Sequence, residues 1–412
     1  MIEANMKFTN PFRPGAGHMP PYLAGRKEEE NQFKRLLEQT EIMENLVLTG
    51  LRGVGKTVLL ETFKPQAIAK GWLWAGTDMT EVASISETNL ATRLITDLSV
   101  VTSGVAIPLG VKQGMGFGAE TSQFSQSIDY DFLNRIFDQT AGLVDDKLKA
   151  VLEFVWKILE KSDRKGIVFA YDEAQNLSDN SEKEQFPLST LLDVFQSLQR
   201  KGIPFMLALT GLPTLFPKLV EARTYAERMF RVVSIDRLDE GACKKAITEP
   251  VKGAKCPIQF TKESVDRIVR VSGGYPYFIQ FICREVYDVW IQAPNDNERG
   301  PIPVREITRK LDTDFFAGRW ARATDRQRDL MWVVSELENS DGEFTVQEIV
   351  EESKTRLEKS FTNSHANQIL GALINHGLVY KNRHGKYMFA VPLMADFVQR
   401  QASFGTNGYS GG

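Results

Sequence analysis

The chain has 412 residues, of which 42% are hydrophobic and 25% charged, so it has the composition of a globular protein and is long enough for two or three domains. The net charge of −3 argues against a surface that coats nucleic acid generally, although a local basic patch is compatible with it. Three cysteines without metal-ligand spacing argue against a disulfide framework, and we expect reduced thiols. No run of about 18 apolar residues occurs and the N-terminus has no apolar core, so we expect a cytoplasmic protein without export signal or membrane span.

The first segment, residues 1–24, is rich in proline and glycine and is predicted to form an irregular arm. The sequence after it leads into a helix that carries Phe33, Leu36 and Leu37 on one face. This element is either an ordinary first helix or, because it stands about one helix before the motif described next, a lid over the base of a nucleotide.

A glycine-rich motif lies between an apolar run at 46–48 and a helical stretch at 58–63. Its spacing, G-x-x-x-x-G-K-S/T, in that strand and helix context is typical of a phosphate-binding loop, because glycines let backbone N–H groups surround phosphate oxygens at a helix N-terminus. Lys56 is predicted to reach the β- and γ-phosphates, and the Thr57 hydroxyl to ligate Mg²⁺. The nucleotide-binding residues predicted from this motif are Gly50, Arg52, Gly53, Val54, Gly55, Lys56, Thr57 and Val58.

The stretch 71–78 is predicted to be a second strand, and 86–98 a helix with apolar residues at helical spacing. An insertion at about 103–128 follows, with five glycines, a number that no packed core element requires. We expect a mobile insertion near the site, a hairpin that contacts a partner, or a flexible surface loop.

An acidic pair follows the next apolar strand. Residues 131–160 are helical by period, and the strand at 166–171 ends in Asp172 and Glu173. Such a strand is weak evidence alone, but downstream of a phosphate loop it provides what a Mg²⁺ site needs. Asp172 is predicted to hold the metal, directly or through water, and Glu173 to polarise the attacking water.

Two further strands, at 203–213 and 232–235, accompany the remaining candidate catalytic residues. The first strand ends in Thr210, which is expected beside the acidic strand, within reach of the γ-phosphate. Arg228 and Arg231 precede or begin the second strand. They are either arginine fingers that contact a transferring phosphate, with Arg228 the stronger candidate, or ion-paired surface residues.

The rest of the chain is predicted to be mainly helical. Residues 237–294 carry helices at 238–251 and 261–271 and a third that follows a Gly-Gly turn, and 295–312 form a polar, proline-bearing linker. The last domain, 313–402, is predicted to contain three helices and a hairpin, at 325–338, 345–357, 363–376 and 378–391, before a flexible tail at 403–412.

With these residues in view, the chain resembles the AAA+ superfamily, and within it the group of origin-recognition-like initiators, archaeal-type ATPases and the signalling ATPases called STAND. The resemblance spans about residues 20–400 and rests on the box Leu23-Ala-Gly-Arg26, the loop at 50–57, Asp172 and Glu173, Thr210, Arg228 and Arg231. It implies an α/β P-loop fold with a parallel sheet in the order 5-1-4-3-2, then a helical lid and a C-terminal winged-helix domain. It also implies ATP, rather than GTP, and Mg²⁺ as cofactors.

The resemblance has one departure. Many AAA+ members place an arginine just after the Gly-Gly turn of the lid, whereas this sequence has Pro276. The Gly-x-Pro form is similar to STAND and archaeal-type ATPases, whose proline packs near the nucleotide, so Leu23 and Pro276 are expected at the nucleotide. Without that arginine, fast cooperative hydrolysis is in doubt and a slow nucleotide switch is favoured.

The winged helix suggests a contact surface. Its hairpin offers Lys381, Arg383 and Lys386 to duplex DNA phosphates, but the helix at 363–375 has no lysine or arginine, and the charges over 313–402 nearly balance. DNA binding, contact with a protein partner, and packing within the chain all remain open.

These observations lead to three hypotheses. The first is a slow, Mg²⁺-dependent AAA+ ATPase that binds ATP and ADP and uses nucleotide state to assemble on DNA or on a partner. The alternative is a STAND-like signalling or defence ATPase that works only through protein–protein interaction, and a third is a nucleotide-binding scaffold. An arginine finger acting on a neighbouring copy would imply a homo-oligomer.

Overall fold

The structure is a computed structural model that describes residues 9–15, 17–104, 106–112, 122–254, 256, 258–292 and 301–406. The strands of the first domain are β1 (Asn45–Thr49), β2 (Trp72–Ala75), β3 (Ala106–Lys112), β4 (Ser122–Ser127), β5 (Gly166–Tyr171), β6 (Phe205–Gly211) and β7 (Phe230–Ser234). Its helices are α1 (Lys27–Leu36), α2 (Lys56–Ala69), α3 (Glu87–Thr102), α4 (Tyr130–Gln139), α5 (Val144–Leu159), α6 (Pro187–Arg200), α7 (Leu215–Ala222) and α8 (Ala226–Met229).

Five of these strands form one parallel sheet in the order β2-β5-β6-β1-β7. Numbered along the chain as strands of this sheet, the order read from the β7 edge is 5-1-4-3-2, so the predicted order and the α/β P-loop fold are confirmed. Helices cover both faces, which is why β1, β5 and β6 are buried along their whole length. The carboxyl ends of β1, β5 and β6 therefore meet at one edge of the sheet.

The two faces have separate cores because successive residues of a strand point to opposite sides. Val47 packs into the core beneath α3, α5 and α6, whereas Leu46 and Leu48 pack beneath α1 and α2. In the second core, Phe33 of α1 stacks on Phe63 of α2, with ring centroids 4.2 Å apart. The face of α1 predicted from sequence is thus an ordinary core contact.

The prediction that residues 131–160 form one helical stretch is wrong about its continuity, because the structure has two helices there, α4 and α5. Gly142, with φ of 116°, lies in the break, and an L side chain rarely adopts that conformation. The insertion at about 103–128 contains an antiparallel pair, β3 and β4. Three of its glycines, Gly114, Gly116 and Gly118, lie outside the described residues, and contact of this hairpin with a partner stays a hypothesis.

The lid helices are α9 (Glu240–Gly253), α10 (Lys262–Ser272) and α11 (Pro276–Trp290). The Thr261 hydroxyl accepts a hydrogen bond from the Ser264 N–H at 3.2 Å and so caps α10, and Gly273, with φ of 58°, ends it. Pro276 then begins α11 at a position where its missing N–H costs no helical hydrogen bond.

The C-terminal region comprises α12 (Val304–Leu311), a π-helical segment (Asp312–Phe316), α13 (Ala317–Trp320), α14 (Asp325–Ser335), α15 (Val346–Arg356), α16 (Asn363–Asn375), the antiparallel strands β8 (Val379–Arg383) and β9 (Lys386–Phe389), and α17 (Met394–Thr406). The three helices and the hairpin lie where the sequence predicts them. Their identity as a winged helix stays a prediction. Two predicted irregular segments are partly helical, since α12 lies in the linker at 295–312 and α17 extends into the tail at 403–412.

Residues 9–24 of the arm contain no helix or strand in their described part and pack against the lid. The Asn10 side-chain amide donates to the Arg284 carbonyl at 3.0 Å and to the Asp288 carboxylate at 2.7 Å. Phe12 is buried, and its ring meets Phe260 edge-on with centroids 6.0 Å apart. Among the described helices, none has both the length and the apolar character needed to cross a membrane.

A buried amide joins the strands of the sheet and provides a test of the fold. The Asn45 side-chain oxygen accepts from the Leu207 N–H at 2.7 Å, and its amide donates to the Met229 carbonyl at 3.1 Å. Asn45→Ala removes the side-chain partner of the buried Leu207 N–H and of the buried Met229 carbonyl, so we expect a loss of about 1–3 kcal/mol of unfolding free energy. Urea unfolding followed by circular dichroism measures it.

The matched control is Asn367→Ala on the exposed side of α16, where we expect a change within about 0.5 kcal/mol. Equal unfolding curves for the wild type and Asn45→Ala would show that this buried amide does not stabilise the sheet.

Candidate nucleotide-binding site

The loop between β1 and α2 has the backbone that its sequence motif predicts. Gly53 and Gly55 have φ of 80° and 95°, and Gly55 is the residue directly before α2. A Cβ built on Gly50 would lie 2.3 Å from the Ile235 carbonyl oxygen, so only glycine fits where the loop passes the end of β7. The loop therefore turns sharply with its N–H groups free to face an anion at the α2 N-terminus.

Lys56, the first residue of α2, is buried beneath this loop. Its Nζ donates to the carbonyl oxygens of Gly50 and Leu51, both at 2.9 Å. Burial lowers the pKa of Lys56, the carboxylates of Glu173 and Asp172 oppose that shift, and Arg52 adds to it. The ammonium is thus a desolvated cation that is bonded to neutral carbonyl oxygens. Charged phosphate oxygens in their place would form stronger hydrogen bonds with it.

Asp172, directly after β5, links the start of α2 to the neighbouring strand β6. One carboxylate oxygen accepts a hydrogen bond from the Thr57 hydroxyl, and the other accepts from the Thr210 hydroxyl and from the Glu173 N–H, the last at 2.8 Å. The structure therefore brings together the predicted metal residues, Thr57 and Asp172, with Thr210 beside them.

These oxygen groups fit Mg²⁺, which prefers hard oxygen ligands and takes only one or two from protein when phosphates supply others. The Asp172 carboxylate, which accepts a hydrogen bond from the Thr57 hydroxyl, could instead share a cation with that hydroxyl oxygen. Thr57 and Asp172 are thus the residues that would hold the metal.

Glu173 lies in the wall of the cavity above the loop, in a left-handed conformation with φ of 51°. Such backbone strain in a residue other than glycine is concentrated at functional sites. Its carboxylate accepts a hydrogen bond from the Gln175 side chain, whose own oxygen accepts from the Leu212 N–H at 3.1 Å. Gln175 was not predicted as a site residue, and its position two residues after Glu173 is the only sequence signal for it.

The cavity has a volume of about 290 Å³ and is lined by the loop, the arm, the lid and the C-terminal region. The predicted nucleotide-contacting residues that line it are Leu23, Arg52, Gly53, Val54, Gly55, Lys56, Thr57, Val58 and Pro276. The sequence missed most of the opposite wall, which includes Arg13, His18, Tyr22, Tyr277, Phe315 and Arg319. They lie in the arm, after the linker or, for Tyr277, directly after Pro276, and none belongs to a recognised motif, so motif reading alone had no means to find them.

Two contacts close the cavity around the loop. Arg26, from the predicted box, is buried and donates to the carbonyl oxygens of Val54 at 2.9 Å and Asp236 at 2.7 Å. The Tyr277 N–H donates to the Gly53 carbonyl at 3.2 Å, which ties the first turn of α11 to the loop. The start of α1 and the first turn of α11 are therefore both bound to the loop, through the backbone carbonyls of Val54 and Gly53.

The two candidate arginine fingers lie at the opposite edge of the sheet. Arg231 is at the start of β7 and pairs with Glu44, just before the parallel strand β1, at 2.7 Å. Arg228 is exposed on α8 and has no ion pair among the described residues. Neither lines the cavity of its own chain, so their action on a phosphate stays a prediction that requires a second copy.

On the hairpin of β8 and β9, the candidate DNA-binding cations differ in environment. Lys381 is exposed and Lys386 is half-buried. Arg383 pairs with Glu343, with its Nε 3.0 Å from a carboxylate oxygen, and this contact raises the pKa of Arg383 and lowers that of Glu343. Part of the basic charge predicted for phosphate contact is therefore already neutralised.

Comparison with known proteins adds three findings. A family described as a domain of unknown function, DUF8462, matches residues 313–398. A Walker-type ATPase of Pyrococcus abyssi is similar in structure, with a TM-score of 0.54 and 15% identity over 92% of this chain and 96% of that chain. The ORC2 protein of Aeropyrum pernix in its ADP form is similar with a TM-score of 0.54 and 12% identity over 94% of this chain and 97% of that chain.

A search of curated proteins gave no match to the sequence. The two structural likenesses extend over nearly the whole length of both chains. The chain has the fold of the origin-recognition-like AAA+ ATPases.

Proposed function

We propose that the chain is a Mg²⁺-dependent AAA+ ATPase that binds ATP, hydrolyses it slowly and uses its nucleotide state to control assembly on DNA or on a protein partner. The observation that carries this proposal is the Asp172 carboxylate, which links Thr57 of the phosphate loop to Thr210 of the neighbouring strand. A buried carboxylate at that point has the geometry for a shared metal, and the loop beside it has the geometry for a polyphosphate.

In this mechanism each residue has a defined task. The loop N–H groups and Lys56 bind the phosphates, because Lys56 exchanges the Gly50 and Leu51 carbonyls for phosphate oxygens. Glu173 accepts a proton from the attacking water, and Gln175 holds its carboxylate in place. Thr210 orients Asp172 through the hydrogen bond from its hydroxyl to the carboxylate. Bound Mg²⁺ would supply neutralisation of the phosphate charge.

Slow turnover is supported by the start of α11. Pro276 stands there in the cavity wall and brings no charge to the phosphates. The finger candidates lie outside the cavity of their own chain, so an isolated chain has fewer cations at the γ-phosphate than an assembly could provide. A nucleotide that persists for long periods suits a switch.

A first prediction separates binding from hydrolysis. Glu173→Gln keeps the shape of the site but removes the base, so we expect ATP binding to persist while turnover falls by about a hundredfold or more. Lys56→Ala removes the buried cation, and ATP affinity itself is expected to fall. Calorimetric titration and phosphate release measure the two quantities.

Glu182→Gln, a change of the same type at an exposed residue of the loop after Glu173, is the matched control and is expected to leave both quantities unchanged. Turnover that is equal in the wild type and Glu173→Gln would contradict the assigned role. A wild type that binds ATP and never releases phosphate would favour the scaffold hypothesis instead.

A second prediction concerns Arg228. If it acts as a finger on a neighbouring copy, Arg228→Ala lowers turnover per chain without changing ATP affinity. Mixing Arg228→Ala with Glu173→Gln then restores part of the activity. In such a mixture, Arg228 of a Glu173→Gln chain can act on the site of a neighbouring Arg228→Ala chain, which keeps its own Glu173. Mixed samples no more active than the sum of the two variants would exclude this role.

A third prediction concerns DNA. Phosphate contacts make affinity fall steeply with salt, so if the hairpin binds duplex DNA, Lys381→Gln reduces the slope of log affinity against log salt by about one. Fluorescence anisotropy over a salt series measures it. No binding at low salt would favour the alternative, a switch that acts only through a protein partner, which the pairing of Arg383 with Glu343 also supports.

A further inference from the structure

One wall of the cavity comes from outside the sheet and the lid. Phe315 and Arg319 line it, from the π-helical segment and from α13 respectively. Both fall at the start of residues 313–398, the region that the domain family matches. π-Helical turns are often found at functional sites, and this one turns the chain so that α13 meets the nucleotide cavity.

Arg319 is held in place by contacts that involve the lid. Its Nη1 donates to the Phe315 carbonyl at 2.6 Å, and its guanidinium lies 4.5 Å from the centroid of the Phe315 ring. That ring in turn packs on Tyr277 and Phe278, at centroid distances of 5.0 and 5.2 Å. These are the two residues that follow Pro276, so Arg319 is ordered, through Phe315, beside the first turn of α11.

The positive charges of Arg319 and the nearby Arg52 favour binding of an anion. Partial burial lowers its pKa, and the nearby guanidinium of Arg52 lowers it further. The Nε of Arg52 is itself buried without a hydrogen-bond partner. Among the described residues, neither arginine forms an ion pair with a carboxylate. Two partly desolvated cations that face one cavity are stabilised further when an anion enters it.

The position of Arg52 shows which part of a nucleotide this anion would be. Arg52 belongs to the phosphate loop and, like Arg319, lines the cavity together with Lys56, the residue predicted to reach the β- and γ-phosphates. A terminal phosphate held by Lys56 would therefore lie in the same cavity as both arginines. Gly377 of the C-terminal region, between α16 and β8, also lies close to Arg52, since a Cβ built on Gly377 would be 3.5 Å from the Arg52 Nη2.

We propose that Arg319 binds the terminal phosphate of ATP and thereby makes the docking of the C-terminal region depend on nucleotide state. The inference rests on the proposed function, since it requires ATP in this cavity. With ATP, the γ-phosphate lies between Arg52 and Arg319 and holds α13 against the loop. With ADP, the two guanidinium groups lack that anion, and their repulsion favours separation of α13 from the loop.

The first experiment compares ATP and ADP affinity in the full chain with Mg²⁺, by calorimetric titration of the wild type and Arg319→Gln. We expect ATP affinity to fall about tenfold or more and ADP affinity by less than about threefold, because the lost charge-assisted hydrogen bonds go to the γ-phosphate. Arg305→Gln, at an exposed arginine of α12 outside the cavity, is the matched control and should change neither. No loss, or equal losses for both nucleotides, would overturn the inference.

The second experiment measures hydrogen exchange over 312–322 and 375–380 with ADP or with a non-hydrolysable ATP analogue. In the wild type, the ATP analogue is expected to slow exchange in both segments, and in Arg319→Gln this difference disappears. Arg319→Lys keeps the charge but loses the fork geometry, so an intermediate ATP affinity is expected. If Arg319→Gln does not fold, Arg319→Lys decides, and ATP affinity equal to that of the wild type would refute the role.

The two proposals fail in different ways. A wild type that binds neither nucleotide refutes the proposed function. A wild type that binds ATP, with Arg319→Gln showing the same affinities and exchange, refutes only the role of Arg319.

Discussion

The arrangement of the whole site depends on one buried carboxylate. Asp172 accepts hydrogen bonds from Thr57, at the start of α2 after the loop that follows β1, and from Thr210, near the end of β6. A carboxylate in that position must be satisfied by donors or by a cation, because an unpaired buried charge is costly. The parallel order of the sheet is what makes this possible, since it brings three carboxyl ends to one edge.

The other constraint is a set of cationic groups around the cavity that form no ion pair with a carboxylate among the described residues. Lys56 is bonded to carbonyl oxygens, and Arg52 has a buried nitrogen without a hydrogen-bond partner. A protein that had only to be stable would gain from pairing these groups with carboxylates. The arrangement is consistent instead with a site that is completed by a polyanionic ligand, and the energy of binding that ligand is then available to order the elements around it.

Those elements come from every part of the chain. The arm is fixed to α11 through Asn10, the lid is fixed to the loop through Tyr277, and the C-terminal region reaches the cavity with Arg319. Because the walls belong to separate parts of the chain, a change at the phosphates would alter how these parts meet. This is a physical basis for the proposed nucleotide-controlled switch, whether its output surface contacts DNA or a protein.

The sequence by itself determined the local chemistry of this protein. The spacing of Gly50, Lys56 and Thr57 predicted the loop, and the strand that ends in Asp172 predicted the metal carboxylate, whereas the sheet order followed only from the resemblance to AAA+ proteins. The loop and the acidic strand could be predicted because their residues lie close together in the chain. Only the tertiary structure decided that Arg319 faces the same cavity as Arg52, although the two residues are far apart in the chain. It also decided that Arg231 forms an ion pair with Glu44. Such contacts are set by how domains pack, and no short-range periodicity in the sequence encodes them.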